Sequence, residues 1–379
     1  MSLVDLRNFP AAAKRTYLNS ASVGLMYKPA EEAVTVWQRD IAENGTANFD
    51  DAAESRVFDE LRGQFARLIG ARPEDIAVGS SATELMASLA WAIAPGRGRN
   101  IVVVDIAFPS TVYPWARVCR HTGCALRWVT ARGECVSQEE ILAAIDADTA
   151  VVCLSHVEYG TGQRYDLGRI AEAAHARGAL LVVDATQSAG AVPIDVGVEC
   201  ADALVTGSYK WLCGPFGVGL LYIAPRLQES LDPGIVGWRS HEQIYDLQAT
   251  RLQYPAGAQR FEASTMAYGC AVGLTRSIAF VRQVGVECIW RHNCELADIL
   301  IEALRSLGAS ITSPLSTAER TSIVCARLPG RDAKALVGQL GRCDIVVSAR
   351  REGIRFSPHL YNGAADVSRT LAVLRDLHG

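Results

Sequence analysis

Leu180-Leu181-Val182-Val183-Asp184-Ala185-Thr186-Gln187-Ser188 is the stretch on which the reading of this chain turns. An unbroken apolar run ends abruptly on an acid. A run without polar alternation marks a strand buried on both faces, as in a parallel sheet covered by helices. An acid at its end needs a cation or several hydrogen-bond donors, because a lone carboxylate is costly to bury. The pattern recurs on either side. Strands are expected at Ile76–Gly79, Ile101–Asp105, Ala125–Val129 and Ala150–Ser155, then at Ala203–Thr206 and Val218–Ile223. Helical periodicity at Arg56–Leu68, Thr83–Ala94, Tyr113–Thr122, Gln138–Ala144 and Leu167–Arg177 separates many of them. Such alternation predicts an α/β domain with right-handed crossovers.

After about residue 225 the pattern changes. Residues 226–262 are irregular and rich in Gly, Pro and polar groups. A long helical stretch runs from Ala267 to Val284 and on toward Ser306. Strand-like Ser322–Arg327 and Asp344–Val347, with helix-like Ala333–Leu340 and Ala364–Leu377, predict a small α+β domain.

Composition bounds the function. The chain has 379 residues, 49% of them hydrophobic and 21% charged, enough for a large core and two or three domains. A net charge of −4 argues against nucleic acid or an anionic membrane as the main partner. No apolar run approaches the length of a membrane span. Met1–Lys14 contains Asp5 and Arg7 and no apolar core segment, so no signal peptide is expected. The eleven cysteines show no CxxC pair and no zinc-ligand spacing. Reduced thiols in the cytoplasm are therefore expected, with no metal site. Most of these cysteines, such as Cys153, read as small buried hydrophobes.

Lysine is rare. Of 37 basic residues only Lys14, Lys28, Lys210 and Lys334 are lysines. Three sit in polar or helical contexts. Lys210 instead follows the apolar run Ala203-Leu204-Val205-Thr206 through Gly207-Ser208-Tyr209. Desolvation there lowers an amine's pKa and frees the neutral form for Schiff-base chemistry.

Other polar groups fall at neighbouring strand ends, where open α/β sheets bind their ligands. Gly79-Ser80-Ser81-Ala82-Thr83-Glu84 opens a helix, and reads either as an anion cradle or as an ordinary N-cap. Asp184 suits a protonated pyridine nitrogen, though a capping role is open, and Gln187 reaches toward a phenolic oxygen. Phe108 reads as a ring that stacks on a cofactor or as a rim core residue. His156 reads as a proton shuttle or as structural.

The order of these features, with Asp184-Ala185-Thr186-Gln187 and Ser208-Tyr209-Lys210-Trp211 as the most specific parts, resembles fold type I enzymes that depend on pyridoxal 5′-phosphate (PLP). Within them it resembles the class V aminotransferase family, which includes cysteine desulfurases, C–S lyases, kynureninase and isopenicillin N epimerase-like proteins. The resemblance implies a large domain (15–265) with a mostly parallel seven-stranded sheet. Residues 1–14 and 266–379 would form the small α+β domain. It implies phosphate contacts from Ala82, Thr83 and Ser208, a further cofactor contact from Tyr209, and a Schiff base on Lys210. Asp184 would meet the pyridine nitrogen, Gln187 the phenolic oxygen, and Phe108 and His156 the ring. Thr265, in Arg260-Phe261-Glu262-Ala263-Ser264-Thr265, would reach the phosphate of a neighbouring subunit, which implies a homodimer with shared sites. Arg350, with Arg355 as the alternative, would hold a substrate carboxylate.

Two departures steer the chemistry. Tyr209 precedes the lysine and Phe108 faces the ring, where many desulfurases carry histidines. The span Arg350–Ser357 contains no cysteine to carry a persulfide, and Cys343 reads as structural. The expected activity is β-elimination from a cysteine-derived S-conjugate, with Lys210 removing the Cα proton. Tyr113, Trp115, Trp238, Arg239 and His359 are candidate pocket residues. Aminotransferase, epimerase and kynureninase-like activities are the alternatives, and a catalytically silent dimer is the non-enzymatic one.

Overall fold

The computed structural model describes residues 1–378. A short strand β1 (Thr16–Tyr17) precedes the seven strands of the main sheet: β2 (Ile76–Gly79), β3 (Asn100–Val104), β4 (Ala125–Val129), β5 (Thr149–Ser155), β6 (Leu180–Asp184), β7 (Ala203–Gly207) and β8 (Gly219–Ile223). Their order is β2-β8-β7-β6-β5-β3-β4. Only β8 runs against its neighbours; every other pairing is parallel. This is the mostly parallel α/β sheet that the apolar runs predict. Its two faces fill separate cores. Val152, Leu154, Leu181 and Val183 face one, and Val151, Cys153 and Val182 the other. Alternate residues of one apolar strand thus serve opposite helical layers.

Beyond β8 come β9 (Ser310–Ile311), β10 (Val324–Arg327), β11 (Ile345–Val346), β12 (Ser348–Arg350) and β13 (Gly353–Phe356). A four-stranded sheet in the order β12-β13-β10-β9 carries the small domain, whose core includes Leu300, Val324, Leu336 and Phe356. The β12–β13 connection is a two-residue turn, because Arg350 pairs with Gly353. Arg351 there takes φ 49°, in the left-handed region.

Two boundaries differ from expectation. The long helix divides at Gly285 (φ 89°) into Tyr268–Val284 and Val286–Ser306. Tyr268, Ala271, Leu274 and Ile278 of the first part are buried in the large core. The helix expected from Tyr113 begins at Pro109. Proline suits that first helical position, since its fixed φ is helical and an amide there has no partner to lose.

The segment after β1 meets the segment after β13. Ser20 Oγ lies 2.6 Å from Tyr361 Oη, and the Ala21 amide donates to Ser357 Oγ at 3.0 Å. β1 pairs with β11 in parallel.

Candidate active site

A cavity of about 190 Å³ opens at the carboxyl ends of β5, β6 and β7. Register puts Ser155 beside Asp184, and Asp184 beside Val205. Lys210 enters from the turn after β7 and is 8% exposed. Its Nζ lies 5.6 Å from the Phe108 ring centroid and 5.8 Å from that of Tyr209. Burial lowers the amine's pKa from 10.5 to about 8. Asp184 opposes that shift, and Arg355 and Arg350 add to it.

Asp184 is held on both oxygens. Thr111 Oγ1 donates to Oδ2 at 2.8 Å, and the Thr186 amide to Oδ1 at 2.9 Å. Thr111 lies in the first turn of the helix Pro109–Thr122. Gln187 Nε2 donates to the Ala21 carbonyl at 2.9 Å, and its Oε1 accepts from Trp211 Nε1 at 2.9 Å. One Nε2 hydrogen remains for a ligand. At the other end of the cavity, Ala82 and Thr83 open the helix Ala82–Ile93, capped by Ser81 Oγ on the Glu84 amide. The amides of Ala82 and Thr83 have no carbonyl of their own helix to bond. That end is suited to an anion.

The set fits PLP. A phosphate, a basic ring nitrogen and an aldehyde find a helix N-terminus, a carboxylate and a buried amine within one cavity. Phe108, Tyr159, Tyr209 and Phe216 give it aromatic walls, with Tyr209 stacked on Phe216 at 4.4 Å.

Several candidate residues lie elsewhere. His156 is buried on the far side of β5, in a cleft with Arg164 and Tyr165. Burial, aided by Arg164, pushes its imidazole down to about 3. Ser208 is fully buried and its hydroxyl is spent on the Pro215 carbonyl. His359 is also fully buried. Asn293 Nδ2 donates to its Nδ1 at 3.2 Å, which leaves Nε2–H to donate to the Trp211 carbonyl at 3.0 Å. Burial holds that ring neutral, with a pKa near about 3. It braces the residue after Lys210 and does not face the cavity. Arg239 packs over Phe58, 4.9 Å from its centroid, and reaches the Glu54 carbonyl. Trp238 lines a separate surface cleft. Trp115 is buried, with Nε1 on Cys153 Sγ at 3.0 Å, whereas Tyr113 is 69% exposed. Thr265 is exposed and away from this cavity.

Arg350 and Arg355 converge on one hydroxyl. Arg355 Nη2 donates to Ser22 Oγ at 2.5 Å and Nη1 to the Tyr159 carbonyl at 2.6 Å. Arg350 Nη2 reaches the same Oγ at 3.0 Å. Arg355 is fully buried, and burial pushes it down to about 10. The sequence reading passed over Tyr159 and Phe216, which line the cavity, and over Thr111, Ser22 and Gly24, which touch Asp184, the two arginines and Lys210. Gly24 is tight: a Cβ there would lie 1.9 Å from the Lys210 carbonyl oxygen. The Pro109-Ser110-Thr111 helix start was the available signal for Thr111.

The aminotransferase class-V family profile matches residues 16–369. A kynureninase of Deinococcus radiodurans is 30% identical over 384 residues, covering 96% of this chain and 91% of that protein. An uncharacterised aminotransferase of Bacillus subtilis is 28% identical, covering 93% and 92%. Among solved structures, a complex of the cystine C–S lyase C-DES with its reaction product cysteine persulfide is similar at a TM-score of 0.88 and 25% identity, covering 97% of this chain and 99% of that one. The apo cysteine desulfurase of Thermococcus onnurineus NA1 shares the fold, with a TM-score of 0.89, 24% identity and coverage of 98% and 96%. With a matching profile over most of its length and a cavity that fits the cofactor, the chain belongs to the class-V aminotransferase family of PLP-dependent enzymes.

Proposed function

We propose that this enzyme cleaves a carbon–sulfur bond by β-elimination in a cysteine-derived S-conjugate, which with one water yields pyruvate, ammonia and a thiol. The observation that carries this reading is a buried amine in a cavity that no cysteine lines. The two-residue β12–β13 turn also carries no thiol. Sulfur then leaves the substrate directly and is not transferred to the protein. The likeness to a cystine C–S lyase agrees with this.

When bound, PLP supplies the electron sink that makes a Cα proton acidic. The chain's residues do the rest. The amides of Ala82 and Thr83 hold the phosphate, Asp184 the ring nitrogen and Gln187 the phenolic oxygen. Phe108 covers the ring. Lys210 Nζ, its pKa lowered mainly by burial, takes the Cα proton near neutral pH. Arg355 binds the substrate carboxylate, with Arg350 beside it. Its larger effect on Lys210 favours Arg355 over Arg350. Thr265 serves the site of a second subunit in a homodimer, which accounts for its exposure here. His156 and Ser208 support the strand ends and do not touch the ring.

The test is pyruvate release from S-substituted cysteines by the PLP-loaded enzyme. Absence of pyruvate, with turnover once a keto acid is added, establishes transamination instead. The aromatic walls and the 30% identity to a kynureninase favour kynureninase-like carbon–carbon cleavage as the second reading, checked by turnover of kynurenine.

A further inference from the structure

Most cysteines of this chain are isolated from one another, but Cys119 and Cys124 are not. Their sulfurs lie 2.7 Å apart. Cys119 is in the last turn of the helix Pro109–Thr122, and Cys124 immediately precedes β4. Gly123 reverses the chain between them with φ 79°, and its amide donates to the Cys119 carbonyl at 2.9 Å. That left-handed helix cap folds Cys124 back over Cys119. The helix end thus fixes the two sulfurs against each other without help from distant elements.

The setting is cationic and open on one side. Cys119 is half-buried, while Cys124 is 7% exposed. The Arg97 guanidinium lies against the turn, since a Cβ on Gly123 would meet its Nε at 3.6 Å. An anionic reagent is drawn to a guanidinium so placed.

We propose that Cys119 and Cys124 are an oxidative modification site, forming a reversible intramolecular disulfide with an anionic low-molecular-weight disulfide such as glutathione disulfide. One thiol of the pair, as thiolate, attacks a sulfur of the reagent and expels one half as a thiol. The second cysteine sulfur then displaces the other half. A bond forms between the two Sγ atoms, the reagent's S–S bond breaks, and two protons pass to its two thiol products. The chain is oxidised by two electrons and the reagent reduced by two. Burial, with the neighbouring sulfur, pushes the Cys119 thiol up to about 12. That works against fast attack, so proximity and not acidity drives the reaction. The inference is independent of which amino acid the enzyme cleaves. It adds a covalent fastening at one end of the helix whose other end holds Asp184 through Thr111.

The test uses the PLP-loaded enzyme, incubated with excess glutathione disulfide, alkylated and digested with trypsin. Cleavage after Arg117, Arg120 and Arg127 separates the two cysteines. The expected product joins Val118–Arg120 to His121–Arg127 and is two hydrogens lighter than the pair. Dithiothreitol separates them, and Cys124→Ser abolishes the linked species while keeping the cofactor absorbance. Folded protein should form the link roughly tenfold faster than urea-unfolded chain, because the sulfurs are pre-positioned. Alkylation of both cysteines after saturating oxidation, a stable glutathione adduct that never resolves, or equal rates in urea would each overturn the proposal.

Discussion

Lys210 Nζ stands 5.6 Å from the centroid of the Phe108 ring. The ring acts on the amine in two opposed ways. Its face attracts an ammonium, and its bulk keeps water from it. Burial is the larger influence, since the amine's pKa falls to about 8.

Phe108→Ala should therefore raise the Lys210 pKa. The pH at which cofactor-free enzyme takes up PLP half as fast as its maximum should move up from about 8, by roughly one unit. An unchanged or lower midpoint in stopped-flow absorbance would show that the ring does not desolvate the amine.

The same shift affects stability. Between about pH 8 and 10.5 the unfolded chain holds the Lys210 proton and the folded cofactor-free chain does not. The unfolded state then binds more protons, so folding stability rises with pH across that window. Below about 8 the cost of burying the ammonium is fully present; above 10.5 it is gone. Lys210→Met lacks this slope. The variant's advantage in folding stability, about 3 kcal/mol at pH 7 for a shift from 10.5 to about 8, should shrink toward zero by pH 10.5, read by calorimetry on both cofactor-free proteins.

Thr111→Val removes the hydroxyl that orients Asp184. A hydrogen bond to a charged group contributes about 1.5–3 kcal/mol. We expect kcat to drop roughly tenfold or more, on the same magnitude, with KM little changed and the cofactor's absorbance altered. A rise in KM alone would place Thr111 in substrate binding instead.

Arg355→Lys and Arg350→Lys separate the two guanidinium groups. Loss of planar bidentate geometry at the carboxylate-binding residue should raise KM on the order of a hundredfold. That rise is expected for Arg355. Arg350→Lys should change KM less than tenfold, an order-of-magnitude limit for a flanking charge. Steady-state kinetics decide between them, and the reverse order would assign the carboxylate to Arg350.

Gly24→Ala tests the packing under the lysine. The added methyl would overlap the Lys210 carbonyl, and overpacking of this kind costs about 1–3 kcal/mol. The thermal midpoint should fall by several degrees and PLP should dissociate faster in dialysis. Retention of both would mean that the amino-terminal segment can shift without moving Lys210.

The sheet was readable because each buried strand is an uninterrupted Val/Leu/Ile run, and because Asp184 and Lys210 stand out against such runs. The side of the strand end was harder to read. Ser155 and Val157 face the cavity, so the alternation of an extended chain turns His156 away. A polar residue at a strand end is therefore a site candidate only with the right parity. Thr111 escapes a reading that begins the helix at Tyr113, because the chain is already helical from Pro109. Ser22 and Gly24 lie in a segment without regular structure, brought to Lys210 only by the fold. The helix Lys28–Asn44 stands apart from the alternating strands and helices, and Ala30, Val34, Trp37 and Ile41 at helical spacing are the signal that marks it.

The pairing of Ser20 with Tyr361, and of Ala21 with Ser357, has a bearing on how the protein is made. Amino-terminal parts of a chain emerge first and begin to fold during synthesis. Here the Ala21 carbonyl that steadies Gln187 and the glycine under Lys210 are made well before the sheet they serve. Ser357 and Tyr361, which pin this segment in place, are made well after it. A nascent chain can build its central sheet early, yet its cofactor pocket closes only once Tyr361 has been added.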